Sequence, residues 1–462
     1  MFLGREKEKK MLNDLYEKDG FQFVVMYGRR RIGKTSLLLE FAKNKPHIFF
    51  VAEEYNKDRA LANFSNQIYG FCKLKGLPAF SEWNEAFDFL IKEVGDQKIV
   101  LIMDEYPYLV GADKSISSII QNKIDHKLLK TNIFFIVCGS SMSFMEKDVL
   151  SYKSPLYGRK TMEMKIEPFS FFEACDFIPE YGTVDKVISY GVLGGIPQYL
   201  KYFDDKISLK ENIVNTILKK GSVLYDEPKN LLKQELREPM TYNTIIEAIS
   251  TGSSKMNEIV TKTKMASDKC SKYIASLMEL GIIQKENPVG EKTTRKSIYK
   301  LNDNLYKFWY RFVFHNINLT EQDEAEFLYE SIINKEWSEY IGGYVFEDIC
   351  KQYLLKCNKK RTLPFVFVDI GRWWGNDSIK KQQQEIDIVA VDKENAIFCE
   401  CKWQNEKIDI KVLKDLKEKS RLLPFIARKY ILFSKSGFTS KVVEYAKSDE
   451  LIELIDLNIL LS

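Results

Sequence analysis

The sequence predicts an α/β fold built of several domains, and three observations lead there. Its 462 residues suffice for about three domains with separate cores. Short apolar runs alternate with helix-patterned stretches over residues 1–170. Mixed strand and helix patterning returns over residues 341–462, after a middle that reads as helical. The composition, 45% hydrophobic and 29% charged, excludes a disordered or fibrous chain. No apolar run approaches the ~18 residues of a membrane span, and the opening MFLGREKEKK lacks the apolar core of a signal peptide. The eight cysteines include no CxxC pair, so neither a disulfide framework nor a zinc site is indicated. No membrane partner and a cytoplasmic setting are expected.

The expected strands of the first domain, 1–170, are FQFVVMY (21–27), IFFVA (48–52), IVLIM (99–103) and IFFIVC (133–138). Continuous apolar strands alternating with helices mean a parallel sheet covered on both faces. Residues 171–240 read as a helical subdomain broken by GVLGGIP at 191–197, and 241–301 as three helices followed by a hairpin. Residues 302–340 form an aromatic-rich helical linker, whose Phe308, Trp309, Tyr310, Phe312 and Phe314 read as core rather than as a base-stacking platform. Strands of the last domain, 341–462, are expected near 365–370, 385–391 and 396–402.

Gly28-Arg29-Arg30-Arg31-Ile32-Gly33-Lys34-Thr35 fits GxxxxGK[ST] between an expected strand and a helix that opens at Ser36, the context of a phosphate-binding P-loop. Its glycines let backbone N–H groups turn onto phosphates, in front of the positive end of the following helix. Residues 28–36 are therefore the expected nucleotide-binding set. Lys34 would reach the β- and γ-phosphates of ATP, and Thr35 would hold Mg²⁺. Asp104 would hold the same ion through water, and Glu105 would orient the attacking water. Ser140, in the CGSS tip of the next strand, would lie near the γ-phosphate. Arg159, in SPLYGR, could stabilise transition-state charge in cis or from a neighbouring copy, which leaves homo-oligomerisation open. A surface arginine paired with a carboxylate is the competing reading for Arg159.

In this order, GRRRIGKTSLL, IVLIMDEYPYL, CGSS, SPLYGR and GGIPQYL resemble the archaeal-type ATPases, P-loop proteins near the AAA+ and STAND ATPases. Phe2-Leu3-Gly4-Arg5 resembles the motif with which that family opens, beside the nucleotide base. Gly194-Gly195-Ile196-Pro197 resembles its helical-subdomain motif. The resemblance spans roughly the first half of the chain and implies ATP binding and hydrolysis.

Three helices and a hairpin within 241–301 match a winged helix-turn-helix. Residues 241–300 hold ten Lys and Arg against six Asp and Glu, a net +4. The whole chain is also +4, with 69 basic and 65 acidic residues, so the excess is local to this module. Lys269 and Lys272 on the third helix, and Lys292, Arg295 and Lys296 on the wing, are the expected nucleic-acid contacts, with DNA favoured. The alternative is a winged helix that serves as a protein–protein spacer.

In QQQEIDIVAVDKENAIFCECKW two strands flank a polar turn. A turn centred between Lys393 and Glu394 sets Asp387 opposite Glu400 and Glu385 opposite Lys402, with all four on one face. Facing carboxylates need a cation between them, and oxygen donors favour Mg²⁺ or Mn²⁺. Lys402 could position a water or stabilise developing charge. This arrangement resembles the PD-(D/E)xK nucleases, restriction-endonuclease-like α/β domains, with Asp387 in the first place and Glu400-Cys401-Lys402 as ExK. Glu347, in GGYVFEDIC, matches the acidic residue that such nucleases carry on their first helix, and completes an expected metal set of Glu347, Asp387 and Glu400. With RWWG (372–375) the segment resembles the DUF234 domain that follows archaeal-type ATPase domains.

Together these features predict an ATP-binding, ATP-hydrolysing protein that couples nucleotide state to DNA binding and Mg²⁺-dependent phosphodiester cleavage. The alternative is a STAND-like nucleotide-switched regulator or scaffold, whose last domain binds nucleic acid or a partner without cutting. A nucleic-acid motor ranks last, because no helicase motif is present.

Overall fold

The computed structural model describes residues 2–291, 296–377 and 380–461. The chain divides into two units, Met1–Pro168 with Ile196–Gln198, and Phe169–Gly195 with Tyr199–Ser462.

The first unit is built on five strands: β1 (Gln22–Tyr27), β2 (His47–Val51), β3 (Ile99–Asp104), β4 (Ile133–Gly139) and β5 (Met162–Lys165). All pair in parallel, in the order β2-β3-β4-β1-β5. Every residue of β1, β3 and β4 is buried, as uninterrupted apolar runs require of strands covered on both faces. Phe23 and Phe135 stack between β1 and β4 at 5.3 Å. The strand order places the carboxyl ends of β1 and β3 on either side of β4, so the loops leaving these three strands meet at one edge of the sheet.

In the second unit, helices Thr183–Leu193, Leu209–Ile213 and Glu227–Glu235 follow one another without an intervening strand among the described residues. Helices Pro239–Ser250, Met256–Thr263 and Ser267–Glu279 precede an antiparallel hairpin of β6 (Ile283–Glu286) and β7 (Ile298–Leu301). Helical residues 304–316 bury Phe308, Trp309, Tyr310 and Phe312, which form core. Lys292 and Arg295 lie outside the described residues.

The last sheet comprises β8 (Asp369–Asp377), β9 (Gln382–Val391), β10 (Asn395–Lys402), β11 (Ile426–Ser434) and β12 (Ile452–Asp456), in the order β12-β11-β10-β9-β8. The strand expected at 365–370 begins only at Asp369 and runs through RWWG. The β9–β10 hairpin pairs Val391 with Ala396 and Ile388 with Cys399, the register of a turn centred between Lys393 and Glu394.

One expectation fails here. Between its pairings Gly371↔Val389 and Trp373↔Ile386, β9 carries one more residue than β8, a β-bulge. A one-residue bulge reverses which face each later side chain takes. Ile386 therefore shares a core with Val389, Val391 and Phe398 although its number has the other parity. Glu385 is turned to the face opposite Glu400, so Glu385, Asp387, Glu400 and Lys402 do not share one face.

Candidate functional site

At the meeting of β1, β3 and β4 the loop 28–33 is fixed by its backbone. A Cβ on Gly28 would stand 2.5 Å from the Ile166 carbonyl oxygen, so no larger residue fits. Arg31 and Gly33 adopt left-handed φ of 67° and 89°, turning the chain into helix Lys34–Ala42. Arg5 clamps the loop from outside: buried to 4% exposure, it donates to the carbonyls of Ile32 (3.0 Å) and Glu167 (2.7 Å). Arg30 donates to the Tyr108 hydroxyl at 2.9 Å. Arg29 and Ile32 are buried, and Ser36 is exposed on the first turn of the helix.

Lys34 is buried, and its ammonium donates to the carbonyls of Gly28 (2.8 Å) and Arg29 (3.0 Å), which holds it across the mouth of the loop. Thr35 Oγ1 donates to Asp104 Oδ2 at 2.6 Å. Asp104, 1% exposed, accepts from the Glu105 amide on its other oxygen at 2.9 Å. Ser140 donates to Glu105 Oε2 at 2.8 Å. Lysine, hydroxyl and two carboxylates thus converge from three strand ends, a donor set that fits a phosphate chain with a hard divalent cation. Arg159 stands apart from this set. It makes a bidentate pair with Asp125 at 2.7–2.8 Å, the competing reading given above.

In the second unit Asp387 accepts from the Cys401 amide at 2.8 Å, and Lys402 Nζ lies 2.6 Å from Glu400 Oε1. Asp387 and Glu400 are only 9% and 6% exposed. Burial raises the pKa of both, and the Asp387 charge pushes Glu400 further up. Burial works to lower Lys402, but the charges of Glu400 and Asp387 outweigh it and its pKa rises. Glu400 Oε2 is buried without a hydrogen-bond partner, an orphan that a cation would satisfy. Lys419, on helix Ile410–Ser420, also faces Glu400 and is a residue the sequence reading missed.

Glu347 feels the Asp387 charge but pairs elsewhere. It stands on helix Phe346–Lys360, whose Cys350 meets Cys401 on the sheet face opposite Glu400. Its partner is Arg372 at 3.4 Å, which also holds Glu385 at 3.1 Å. Among the described residues no three His, Cys, Asp or Glu side chains converge as a metal-binding group. The expected triad of Glu347, Asp387 and Glu400 is therefore not assembled, and Arg372 is the ion-pair partner of Glu347. The role of Arg372 was hidden inside RWWG.

Burial raises the Glu347 pKa to about 8 despite Arg372. A carboxyl whose folded pKa lies above its unfolded value loses stability as pH climbs from the unfolded pKa towards the folded one. In EDTA, the Glu347→Gln protein is expected to melt with wild type at pH 5 and above it at pH 8. About 2–4 °C corresponds to each kcal/mol in domains of 150–250 residues. Equal midpoints at pH 8 by calorimetry would refute this.

On the expected nucleic-acid surface, Lys269 and Lys272 are exposed on helix Ser267–Glu279, Lys269 lying 3.8 Å from Glu238. Lys296 is paired with Glu291. The segment that leaves β6 is anchored: Val289, 4% exposed, belongs to the core that holds Trp373 and Ile386, and its amide donates to the Arg372 carbonyl at 3.0 Å. Among the described residues no helix is long and apolar enough to cross a membrane.

Residues 2–203 match a family described as an ATPase domain predominantly from Archaea. Residues 309–416 match the DUF234 family of archaeal and bacterial proteins of unknown function. An uncharacterized protein of Methanocaldococcus jannaschii is 35% identical over 428 residues, 92% of each chain. The Walker-type ATPase of Pyrococcus abyssi is a similar solved structure, at 21% identity, covering 67% of this chain and 96% of that one with a TM-score of 0.48. The ORC2 protein of Aeropyrum pernix, solved with ADPNP and ADP, is 14% identical, covering 69% and 95%, with a TM-score of 0.46.

Proposed function

This chain belongs to the ATPase family found predominantly in Archaea, in the form that carries a DUF234 domain, and from that premise we propose that it couples ATP hydrolysis to phosphodiester cleavage in nucleic acid. For the first activity the supporting observation is the contact of Thr35 with Asp104 beside Lys34. Lys34 would leave its own loop carbonyls for the β- and γ-phosphates, while Thr35 and Asp104 would hold Mg²⁺. Glu105 would orient the attacking water, with Ser140 fixing its carboxylate. The Ser140→Ala protein is expected to lose about tenfold in kcat, as for a hydrogen bond to a charged group, with KM for ATP little changed. An unchanged kcat would remove Ser140 from the site.

For cleavage, the observation that carries the proposal is the buried Asp387–Glu400 pair with its unsatisfied oxygen beside Lys402. These oxygens suit Mg²⁺ or Mn²⁺, which would polarise a phosphate and lower the pKa of a bound water. Lys402 would stabilise charge that develops on the phosphate. The three-helix and hairpin module would act as a winged helix that presents nucleic acid. The test is purified protein with plasmid, linear and single-stranded substrates, with and without ATP, in Mg²⁺, Mn²⁺ or EDTA. Divalent-dependent loss of substrate is expected.

A second reading has its own observation. Glu347 is paired with Arg372, as suits a nucleotide-switched binding module that does not cut. ATP-dependent binding without any divalent-dependent loss of substrate would establish it instead.

A further inference from the structure

The hairpin module and the last sheet enclose a cleft of about 790 Å³ within the second unit. One wall is the turn 251–255 between the first two helices of the module, with Ser254 and Lys255. The other is the face of β8 and β9 that carries Arg372, Trp374, Gln383 and Glu385. Lys296 also lines the cleft. Trp374 is half-buried on this face, while its neighbour Trp373 packs into the core on the other side.

We propose that this cleft binds one unpaired strand of nucleic acid, with Trp374 stacking on a base and Arg372 holding a phosphate. The proposal rests on the cleavage reading and specifies its substrate. Two features point to one strand. An aromatic face beside cations and side-chain amides is how sequence-tolerant sites hold unstacked bases. Arg372 is already poised between two carboxylates, Glu347 and Glu385, that a phosphate would replace as its partners.

Position adds to this. Asp387 lies within the bulge, close to Glu385 in sequence and close enough for its charge to act on Arg372. A strand held on Arg372 would thus pass near Asp387, and the phosphate that takes the arginine would release Glu347. Lys269 and Lys272, on the third helix, do not line the cleft.

The test measures fluorescence anisotropy in EDTA with labelled single-stranded DNA, single-stranded RNA and duplex DNA of one length. The proteins are full-length wild type, Trp374→Ala, Trp374→Phe and a Lys269→Ala/Lys272→Ala double variant. At least one single strand is expected to bind tighter than the duplex. Trp374→Ala should weaken that binding about tenfold and Trp374→Phe should restore most of it, while the lysine variant reports on duplex binding. Preferred duplex binding that depends on Lys269 and Lys272, or equal strand binding by Trp374→Ala, overturns the proposal. The two readings fail separately. Trp374-dependent strand binding with no cleavage in Mg²⁺ or Mn²⁺ removes the nuclease and keeps the cleft, and duplex cleavage indifferent to Trp374 does the reverse.

Discussion

ATP turnover by the Lys34→Ala protein is expected to fall by at least about 10²–10³-fold, the effect of removing one preorganised donor from developing negative charge. The ammonium now spans the carbonyls of Gly28 and Arg29, so it is placed at the mouth of the loop before nucleotide arrives. Arg5 is committed to the Ile32 and Glu167 carbonyls and Arg159 to Asp125, so neither is placed to substitute for it. Lys34 is buried, and its removal leaves two carbonyls without that donor, at about 1–3 kcal/mol for each group left unsatisfied. A melting curve must therefore accompany the assay. The Glu105→Gln protein separates binding from chemistry, since it keeps the loop and Lys34 intact. It should bind ATP as wild type does and turn it over far more slowly. Turnover by a folded Lys34→Ala protein at more than a tenth of the wild-type rate would exclude residues 28–36 as the hydrolytic site.

The first site was legible because its geometry is local. Eight consecutive residues specify the loop, and each strand that supplies a partner ends in its functional residue, Asp104 on β3 and Gly139 before Ser140 on β4. Arg159 was not legible. Its partner Asp125 is 34 residues away, and nothing in SPLYGR distinguishes an arginine turned to a helix from one turned to a phosphate. In the last domain the β9–β10 register could be read because a short turn fixes it. The bulge could not, because it is created by pairing with β8 across the RWWG segment, whose strand was placed too early. That single inserted residue moved Glu385 to the other face and gave Arg372 a second carboxylate. Strands β11 and β12 were missed for a related reason. IARKYILFS and IELID are only partly apolar, and both earn their place through parallel pairing with distant segments.

The second large effect is expected at the carboxylate pair. Cleavage by the Glu400→Gln protein should fall by about 10³-fold or more, corresponding to several kcal/mol of lost charge stabilisation by a metal ion. Glutamine keeps the volume of the side chain and removes the charge, so a buried, strained anion becomes a neutral group. The variant should fold at least as well as wild type, since the raised pKa of Glu400 means that its ionised form opposes folding above the unfolded pKa. Lys402→Met should give a comparable loss by another route, for it removes the cation 2.6 Å from Glu400 while keeping the aliphatic stem. Each variant carries its own control. Strand binding should persist, because Trp374 and Arg372 sit on the cleft face and not on the Glu400 face. ATP turnover should also persist, because Lys34, Thr35 and Asp104 lie in the other unit. A preparation whose cutting survives both substitutions contains a different nuclease. One that cuts in neither wild type nor variant, yet binds a strand in a nucleotide-dependent way, is a switch in which the arginine-held Glu347 never joins a metal site.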